Sequence, residues 1–479
     1  MANFHWANYL VLVAYIVVMV GVGAYFARGQ KTAQDYLLAG RAMAWLPIAI
    51  SVVAANCSAI SYLGMPSWTY QNDMTLCMVV IPSLLIVPIL NLMLPFYARL
   101  KVFTIYEYLE VRFNSKVRTA TSLLYLVSQG LYLGVIVYAP ALVFSLLTGF
   151  SLNLSILIMA IVTILYTTMG GIKAVIWTDF IQFFVSVGGV LIAAVIILRH
   201  IDGGWPEFWH VAQQTGKLHI DISTDLTRPF TFWGVLIGLT FSNLAQWGTN
   251  QTIVQRFLTA SSLREEKKAL WLQNLFLVPY TILSCSLGPL LFVFYRQHPA
   301  LLNPNMNPDM ILPHFIIRQM PVVISGLVIA GIFSAAMSAY SSNLNALTTA
   351  TLHDIYRRYF HHQGAPPDEV KIARMLTVFW GICSGLLALG YKYMGSLVTI
   401  DLKVMGPLAG MVLGVFLLGM FTKRTTAVGV FAGVVLGSLA TYSVILLTKL
   451  SFLWYTALGC IAVFACGYLA SLRRSGIQR

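Results

Sequence analysis

Hydroxyl side chains recur along one apolar stretch, Gly331-Ile-Phe-Ser-Ala-Ala-Met-Ser-Ala-Tyr-Ser-Ser-Asn-Leu-Asn345. Wound as a helix, Ser334, Ser338, Ser341, Ser342 and Asn345 stand at i, i+4, i+7, i+8 and i+11, on one face. A hydroxyl in an apolar helix can bond back to a carbonyl one turn earlier. Several hydroxyls with lone pairs turned inward also suit a small hard cation. On this stretch alone both readings stand. The second chemical signal is Asp179, in Gly170-Gly-Ile-Lys-Ala-Val-Ile-Trp-Thr-Asp-Phe-Ile-Gln182. It is either a structural partner for a lysine or a cation ligand, and an ionisable group in such a segment points to function. Asp401 and Lys403 read as a pair, or as side chains reaching for the surface. Glu107 and Glu110, in a basic loop, read as solvated or gate-forming.

The elements that must position these groups are membrane spans. The 479 residues are 58% hydrophobic and only 10% charged, with a mean hydropathy of +0.78. A soluble domain carries roughly 25% charged residues. The spacing predicts thirteen spans of about 20 residues each: 7–27, 43–64, 74–97, 118–147, 151–169, 174–198, 231–253, 268–295, 321–353, 372–393, 397–421, 426–447 and 452–471. The first reads as a retained span, with no small-residue cleavage site behind it.

The net charge of +14 reflects how lysine and arginine are distributed. Loops 28–42, 98–117, 170–173, 254–268, 354–371 and 422–425 and the tail 472–479, with the basic residues at their edges, hold 22 of the 30. Basic loops face the cytoplasm, so the N-terminus is expected outside and the C-terminus inside a cell membrane. Arg28, Lys31, Arg99, Lys101, Arg264, Lys267, Lys268, Arg357, Arg358, Arg473 and Arg474 read as topology anchors. The lipid bilayer and a small solute are the expected partners, with no nucleic acid and no obligatory protein partner evident. The loops 199–230 and 354–371, the latter with His361 and His362, read as connectors.

Two spans are interrupted. The span 43–64 contains Ala54, Asn56, Cys57, Ser58 and Ser61, and unwinding there would free the carbonyls of Ala54 and Cys57. A packing seam of small residues is the competing reading. The span 231–253 and its exit carry Asn243, Gln246, Trp247, Thr249, Asn250, Gln251 and Gln255, too polar for a lipid face. These two spans are five apart, as an inverted five-helix repeat requires. No phosphate-binding loop, no HExxH and no GxSxG elbow is present. The six cysteines form no metal-ligand pattern. An intramembrane enzyme and a channel are therefore the weaker alternatives.

With these residues in view the chain resembles the sodium:solute symporter family over about residues 7–470. The resemblance is carried by Gly170–Gln182, by Gln251-Thr-Ile-Val-Gln-Arg256 and by Met337-Ser-Ala-Tyr-Ser-Ser-Asn-Leu-Asn345. The stretch Gly134-Val-Ile-Val-Tyr-Ala-Pro-Ala-Leu142 is similar to the monocarboxylate, multivitamin and iodide branch, and Tyr106-Glu-Tyr-Leu-Glu-Val-Arg-Phe113 to bacterial sialic-acid carriers. The resemblance implies an all-α membrane fold of the LeuT type. Residues 1–42 would form the leading helix and loop, 43–200 and 231–421 two inverted five-helix repeats, 201–230 an outer loop, and 422–479 two last helices and a tail. It implies Na+ as coupling ion and import of a small organic solute by alternating access. Such a solute would be an organic anion such as a monocarboxylate, a vitamin or a sialic-acid-like sugar acid. A proton-coupled or sugar-specific carrier of the same fold is the alternative.

Carried over, the principal sodium site uses the carbonyls of Ala54, Cys57 and Ala335, the hydroxyl of Ser338, and position 339. There the family usually has a hydroxyl and this chain has Ala339. The second sodium site of some members matches better: Asp179, Ser338, Ser341 and Ser342. The solute pocket is expected at Asn56, Ser58, Ser61, Gln129, Tyr132, Gln246 and Asn250. Residues 128–134 hold no Arg or Lys, unlike the span that meets the carboxylate in sialic-acid carriers.

Overall fold

The computed structural model describes residues 5–100, 102–360, 368–391 and 397–475. Lys101, His361, His362 and the Pro366-Pro367 pair lie outside the described residues, as do the side chains of Arg99, Asp401, Lys403, Arg473 and Arg474. The described chain is helical, and the β-type pairing within it is an isolated bridge between Met43 and Ala260. In order, the helices are α1 (Trp6–Ala27), α2 (Ala33–Leu38), α3 (Trp45–Asn56), α4 (Ala59–Gln71), α5 (Val80–Leu100), α6 (Tyr106–Arg112), α7 (Ser115–Thr148) and α8 (Leu152–Arg199). They continue as α9 (Gly204–Gln214), α10 (Leu239–Gly248), α11 (Gln251–Leu258), α12 (Leu263–Gln297), α13 (Ile311–Gln319) and α14 (Ile324–Ala350). Then follow α15 (Arg357–Tyr359), α16 (Glu369–Gly390), α17 (Leu397–Phe421), α18 (Ala427–Leu447) and α19 (Tyr455–Ser475).

Nine helical stretches among the described residues are long and apolar enough to cross a membrane, ten if the bent α3/α4 pair is one span. The difference from the predicted thirteen has local causes. α8 merges two predicted spans into 48 residues, about 72 Å at 1.5 Å per residue. That is more than twice a hydrocarbon core of about 30 Å. It is interrupted at Gly171, whose φ of 57° and ψ of −160° suit glycine alone. The predicted span 231–253 is divided between a π-helical turn at Gly234–Gly238 and α10, with α11 following it. The loop 199–230 is more than a connector, since it folds α9.

α14 is the axis. Every residue from Val328 to Ala350 is buried, and it packs along α8. A helix surrounded on all sides by protein can carry hydroxyls that lipid would not tolerate. α1 buries one stripe, Asn8, Leu12, Tyr15, Met19 and Gly23, and leaves the rest to lipid. Asn8 fixes its start by donating to Ser325 Oγ at 3.0 Å and accepting from Val323 N at 2.9 Å. α18 meets α19 through Gly429, Gly433 and Gly437, where the helices approach backbone to backbone.

One end of the bundle is stitched by charge. Arg118 at the start of α7 bonds Asp354 at 2.6 Å and Glu110 at 2.8 Å, and Arg358 bonds Glu110 at 2.6 Å. Glu107 accepts from the backbone N–H of Phe103 and Thr104, each at 2.9 Å. The hydrogen bond from Arg358, aided by Arg118, pulls the Glu110 carboxyl down to about 2. Glu110 thus ties helices together, while Glu107 closes the turn that leads into α6. Arg358, read as a topology anchor, is an ion-pair partner as well.

Gly171 gives the first test. A Cβ there would stand 2.4 Å from the Tyr36 carbonyl oxygen as well as straining φ. Gly171→Ala is expected to cost about 2–4 kcal/mol, read as a lower melting temperature in detergent. At Gly188 an added Cβ meets nothing within 4 Å, so Gly188→Ala is the control and should not lower it.

Candidate functional site

α3 ends at Asn56 because Cys57 leaves the helical region, at φ −84° and ψ 87°. α4 then begins at Ala59. This break lies inside the bundle, where helix-end carbonyls and N–H groups lack their intrahelical partners. Two places face it: a buried charged group on the α8–α14 side and a cavity on the α10 side.

The charged group centres on Asp179 of α8, which is fully buried. Its Oδ1 accepts from Ser338 Oγ at 2.7 Å. Its Oδ2 accepts from Ser51 Oγ at 2.6 Å, from Arg256 Nη2 at 3.0 Å and from Ser342 Oγ at 3.5 Å. Arg256 is 1% exposed. It also donates to Ser51 Oγ at 2.8 Å, to the Ser342 hydroxyl and to the Thr252 carbonyl. One carboxylate therefore joins α3, α8, α11 and α14. Its cationic partner is an arginine, not the lysine that sequence reading allowed; Lys173 lies over the Phe26 ring instead.

All eight residues of α11 are buried. Amides hold it there. Asn250 caps it by accepting from Thr252 N at 2.9 Å. Gln251 accepts from Ile105 N at 3.0 Å and donates to Phe103 O at 2.8 Å. Gln255 donates to Leu37 O, Asn345 Oδ1 and Thr349 Oγ1 at 2.7–2.9 Å. Much of the polarity after residue 248 is thus the anchoring of a short helix that delivers Arg256.

The hydroxyl stripe divides in the same way. Ser338 and Ser342 reach Asp179, whereas Ser341 donates back to the Ser338 carbonyl at 3.1 Å. Ala335 and Ala339 lie buried on the same helix, and the Ala339 carbonyl accepts from Asn343 Nδ2 at 2.8 Å. Ala54 and Cys57 are buried at the end of α3.

The cavity has a volume of about 250 Å³. Asn56, Ser58, Ser61, Gln129, Tyr132 and Gln246 line it together. Asn250 is not in its wall; besides capping α11 it donates to Gln246 Oε1 at 2.8 Å. Ser242, Asn243, Met405 and Thr456 complete the polar and flexible parts of the wall. Asn243 was visible as part of the polar span. Thr456 was not, because nothing local says that α19 reaches the centre. A smaller annex behind Asn56 and Asn243 is lined by Trp247. Gln129 Oε1 and Trp247 Nε1 are buried without a hydrogen-bond partner among the described residues. No charged side chain is among the described residues of either wall.

Breaking the Asp179–Arg256 pair is the second test. Arg256→Leu leaves a buried carboxylate uncompensated, which is expected to cost about 3–5 kcal/mol in thermal unfolding without Na+. Adding Asp179→Asn should recover part of that loss, since the two sites share one interaction.

The profile of the sodium:solute symporter family matches residues 36–437. The chain is 32% identical to a sodium/sialic acid symporter of Proteus mirabilis, covering 98% of this chain and 95% of that one. It is also 32% identical to the human sodium-coupled monocarboxylate transporter 1, covering 90% of this chain and 72% of the other. A solved structure of a Na+-coupled sialic acid symporter, substrate-bound and outward-open, superposes with a TM-score of 0.91 at 31% identity over 98% of both chains. A nucleobase-cation-symport-1 transporter shares the fold, with a TM-score of 0.59 at 15% identity. The buried carboxylate among hydroxyls, the broken helix and the central polar cavity thus belong to a Na+-coupled carrier and not to an enzyme: the chain is a member of the sodium:solute symporter family.

Proposed function

We propose that the chain carries a small organic anion into the cell together with Na+, by alternating access. Thirteen spans fit this reading when α8 counts as two and α3/α4, α10/α11 and α17 as one each. A leading helix in 1–42 would precede inverted repeats at 43–200 and 231–421, linked by 201–230, with two last helices in 422–479. The N-terminus would lie outside and the C-terminus in the cytoplasm, because the basic loops gather at one end. The end closed by Arg118, Glu110 and Arg358 would then be the inner one.

The observation that carries the reading is the Asp179 group. One carboxylate and two hydroxyls, Ser338 and Ser342, form a donor set for a hard cation. Arg256 compensates the charge there. In the cycle we propose, Na+ takes the place of Arg256 on Asp179 Oδ2 and Ser342, and the guanidinium returns when Na+ leaves. Ser341 would have to turn from the Ser338 carbonyl to complete the set. The place bounded by the Ala54, Cys57 and Ala335 carbonyls and Ser338 has one hydroxyl fewer because of Ala339, so we assign coupling to Asp179. One charge crossing about 100 mV supplies roughly 2.3 kcal/mol, enough for roughly fortyfold accumulation at about 1.4 kcal/mol per decade.

The solute would bind at Asn56, Ser58, Ser61, Gln129, Tyr132 and Gln246, with Asn250 holding Gln246 in place. A cavity of about 250 Å³ lies below the roughly 300–1,000 Å³ of sites for drug-sized ligands. It fits an acid of monocarboxylate scale better than a sialic acid. Its carboxylate would be met by amide, hydroxyl and indole donors in place of a guanidinium.

Uptake of candidate monocarboxylates into proteoliposomes tests the reading. An inward Na+ gradient should drive accumulation, and a pH gradient alone should not. Asp179→Ala should abolish the Na+ stimulation, and Ser342→Ala should raise the half-saturating Na+ concentration severalfold. Accumulation that ignores Na+ and follows the pH gradient would overturn sodium coupling.

A further inference from the structure

The first turns of α12 segregate charge by face. Glu265 reaches inward and accepts from the Trp45 N–H at the start of α3 at 3.0 Å, and Glu266 is buried. Arg264, Lys267 and Lys268 turn the other way. With Leu263, Trp271 and Leu272 they line an open recess of about 530 Å³. Lys268 shares its charge with Glu265 at 3.5 Å, while Arg264 and Lys267 form no ion pair among the described residues. The recess lies at the stitched end. Arg41 bonds the carbonyls of Leu258 and Val102 there at 3.4 and 2.8 Å, beside the Phe103 and Thr104 N–H groups that Glu107 holds.

Beyond the recess the same face of α12 meets lipid. Arg264, Lys268, Trp271, Leu275 and Ile282 stand at i, i+4, i+7, i+11 and i+18. Trp271, Leu275 and Ile282 are exposed. The neighbouring helix gives the depth. α12 and the second half of α8 run in parallel: Phe276 meets Phe183 at 5.9 Å between ring centroids, and Gln297 bonds the backbone of Asp202 at 3.0 Å at the far end. Trp271 and Trp177 precede the phenylalanine pair by five and six residues, about 7.5 and 9 Å at 1.5 Å per residue. Both are exposed. Two exposed tryptophans at like depth mark the membrane–water interface. The three cations lie a further three to seven residues out, about 5–10 Å, at the level of lipid phosphates.

We propose that this recess binds an anionic glycerophospholipid. Its phosphate is held by Arg264 and Lys267 with help from Lys268, its glycerol region lies against Trp271, and an acyl chain follows Leu275. Orienting a span needs only basic residues near its end. Three that converge on one recess, with an interfacial ring and an aliphatic stripe in line below, match the parts of a single lipid. In the orientation proposed above the site faces the cytoplasmic leaflet, where anionic lipids gather. It is independent of the assignment of Na+ to Asp179.

The test is a titration of the delipidated full chain in neutral detergent, read by melting temperature. The probes are dioleoyl phosphatidylglycerol, dioleoyl phosphatidylcholine and inorganic phosphate. Phosphatidylglycerol should raise the melting temperature, and the other two should not. The double variant Arg264→Gln/Lys267→Gln should raise the half-saturating phosphatidylglycerol concentration by about tenfold or more. Arg264→Gln alone, at an exposed side chain, should raise it about threefold or more and carries the test should the double variant not fold. Lys449→Gln removes an exposed charge from the link between α18 and α19 and should titrate like the parent. Equal stabilisation by phosphatidylcholine, or Arg264 and Lys267 variants that titrate like the parent, would overturn the proposal. A response to inorganic phosphate that matches the lipid and is lost in the same variants would make this a free-anion site and remove the lipid assignment.

Discussion

Burying a charge in a membrane protein is the constraint on which the rest of the structure depends. Asp179 sits where water does not reach, and the penalty for a lone carboxylate there is severe. Its compensation comes from three separate helices: Ser51 of α3, Arg256 of α11, and Ser338 and Ser342 of α14, around Asp179 of α8. Those helices cannot move independently without exposing or stranding a charge.

The cavity is organised by the same break. Asn56, at the end of α3, and Ser61, on α4, face it, while Ser51 on the other side of α3 faces Asp179. A single interrupted span thus carries both the polar wall and a ligand of the ion group. The proposed coupling would rest on this span. The wall is closed by α17 and α19 as well as by the interrupted spans. A helix near the C-terminus therefore takes part in the centre of the molecule.

Much of this was legible in the sequence, and the exceptions share a cause. The hydroxyl stripe, Asp179 and the interrupted span could be read locally, because membrane burial makes each polar group conspicuous against apolar neighbours, whereas Gln129 and Tyr132 were placed in the cavity by the family resemblance. Arg256 was missed, although it ends a motif that was recognised. It was counted with the basic residues of 254–268, where a positive charge normally means a cytoplasmic loop. Only the packing of α11 into the interior tells it apart from Arg264 eight residues later. Ser341 is the converse case, a residue of the expected ligand set that the structure does not bring to Asp179. Helical spacing put it on the right face, but a hydroxyl can satisfy itself on its own backbone, and it does. Thr456 has no local signal, since its role depends on where a distant helix lands.

The Asp179–Arg256 pair also bears on how tightly such a carrier couples. A buried carboxylate that loses its metal ion must find another positive charge, and in most settings the nearest is a proton. Each proton taken up on one side and released on the other would be a leak that dissipates the gradient without moving solute. Here the replacement is tethered to the chain, 3.0 Å away, and cannot cross the membrane. The empty carrier can then reset with its interior charge balanced internally. In the proposed cycle the arginine would act as a counter-ion that prevents slippage.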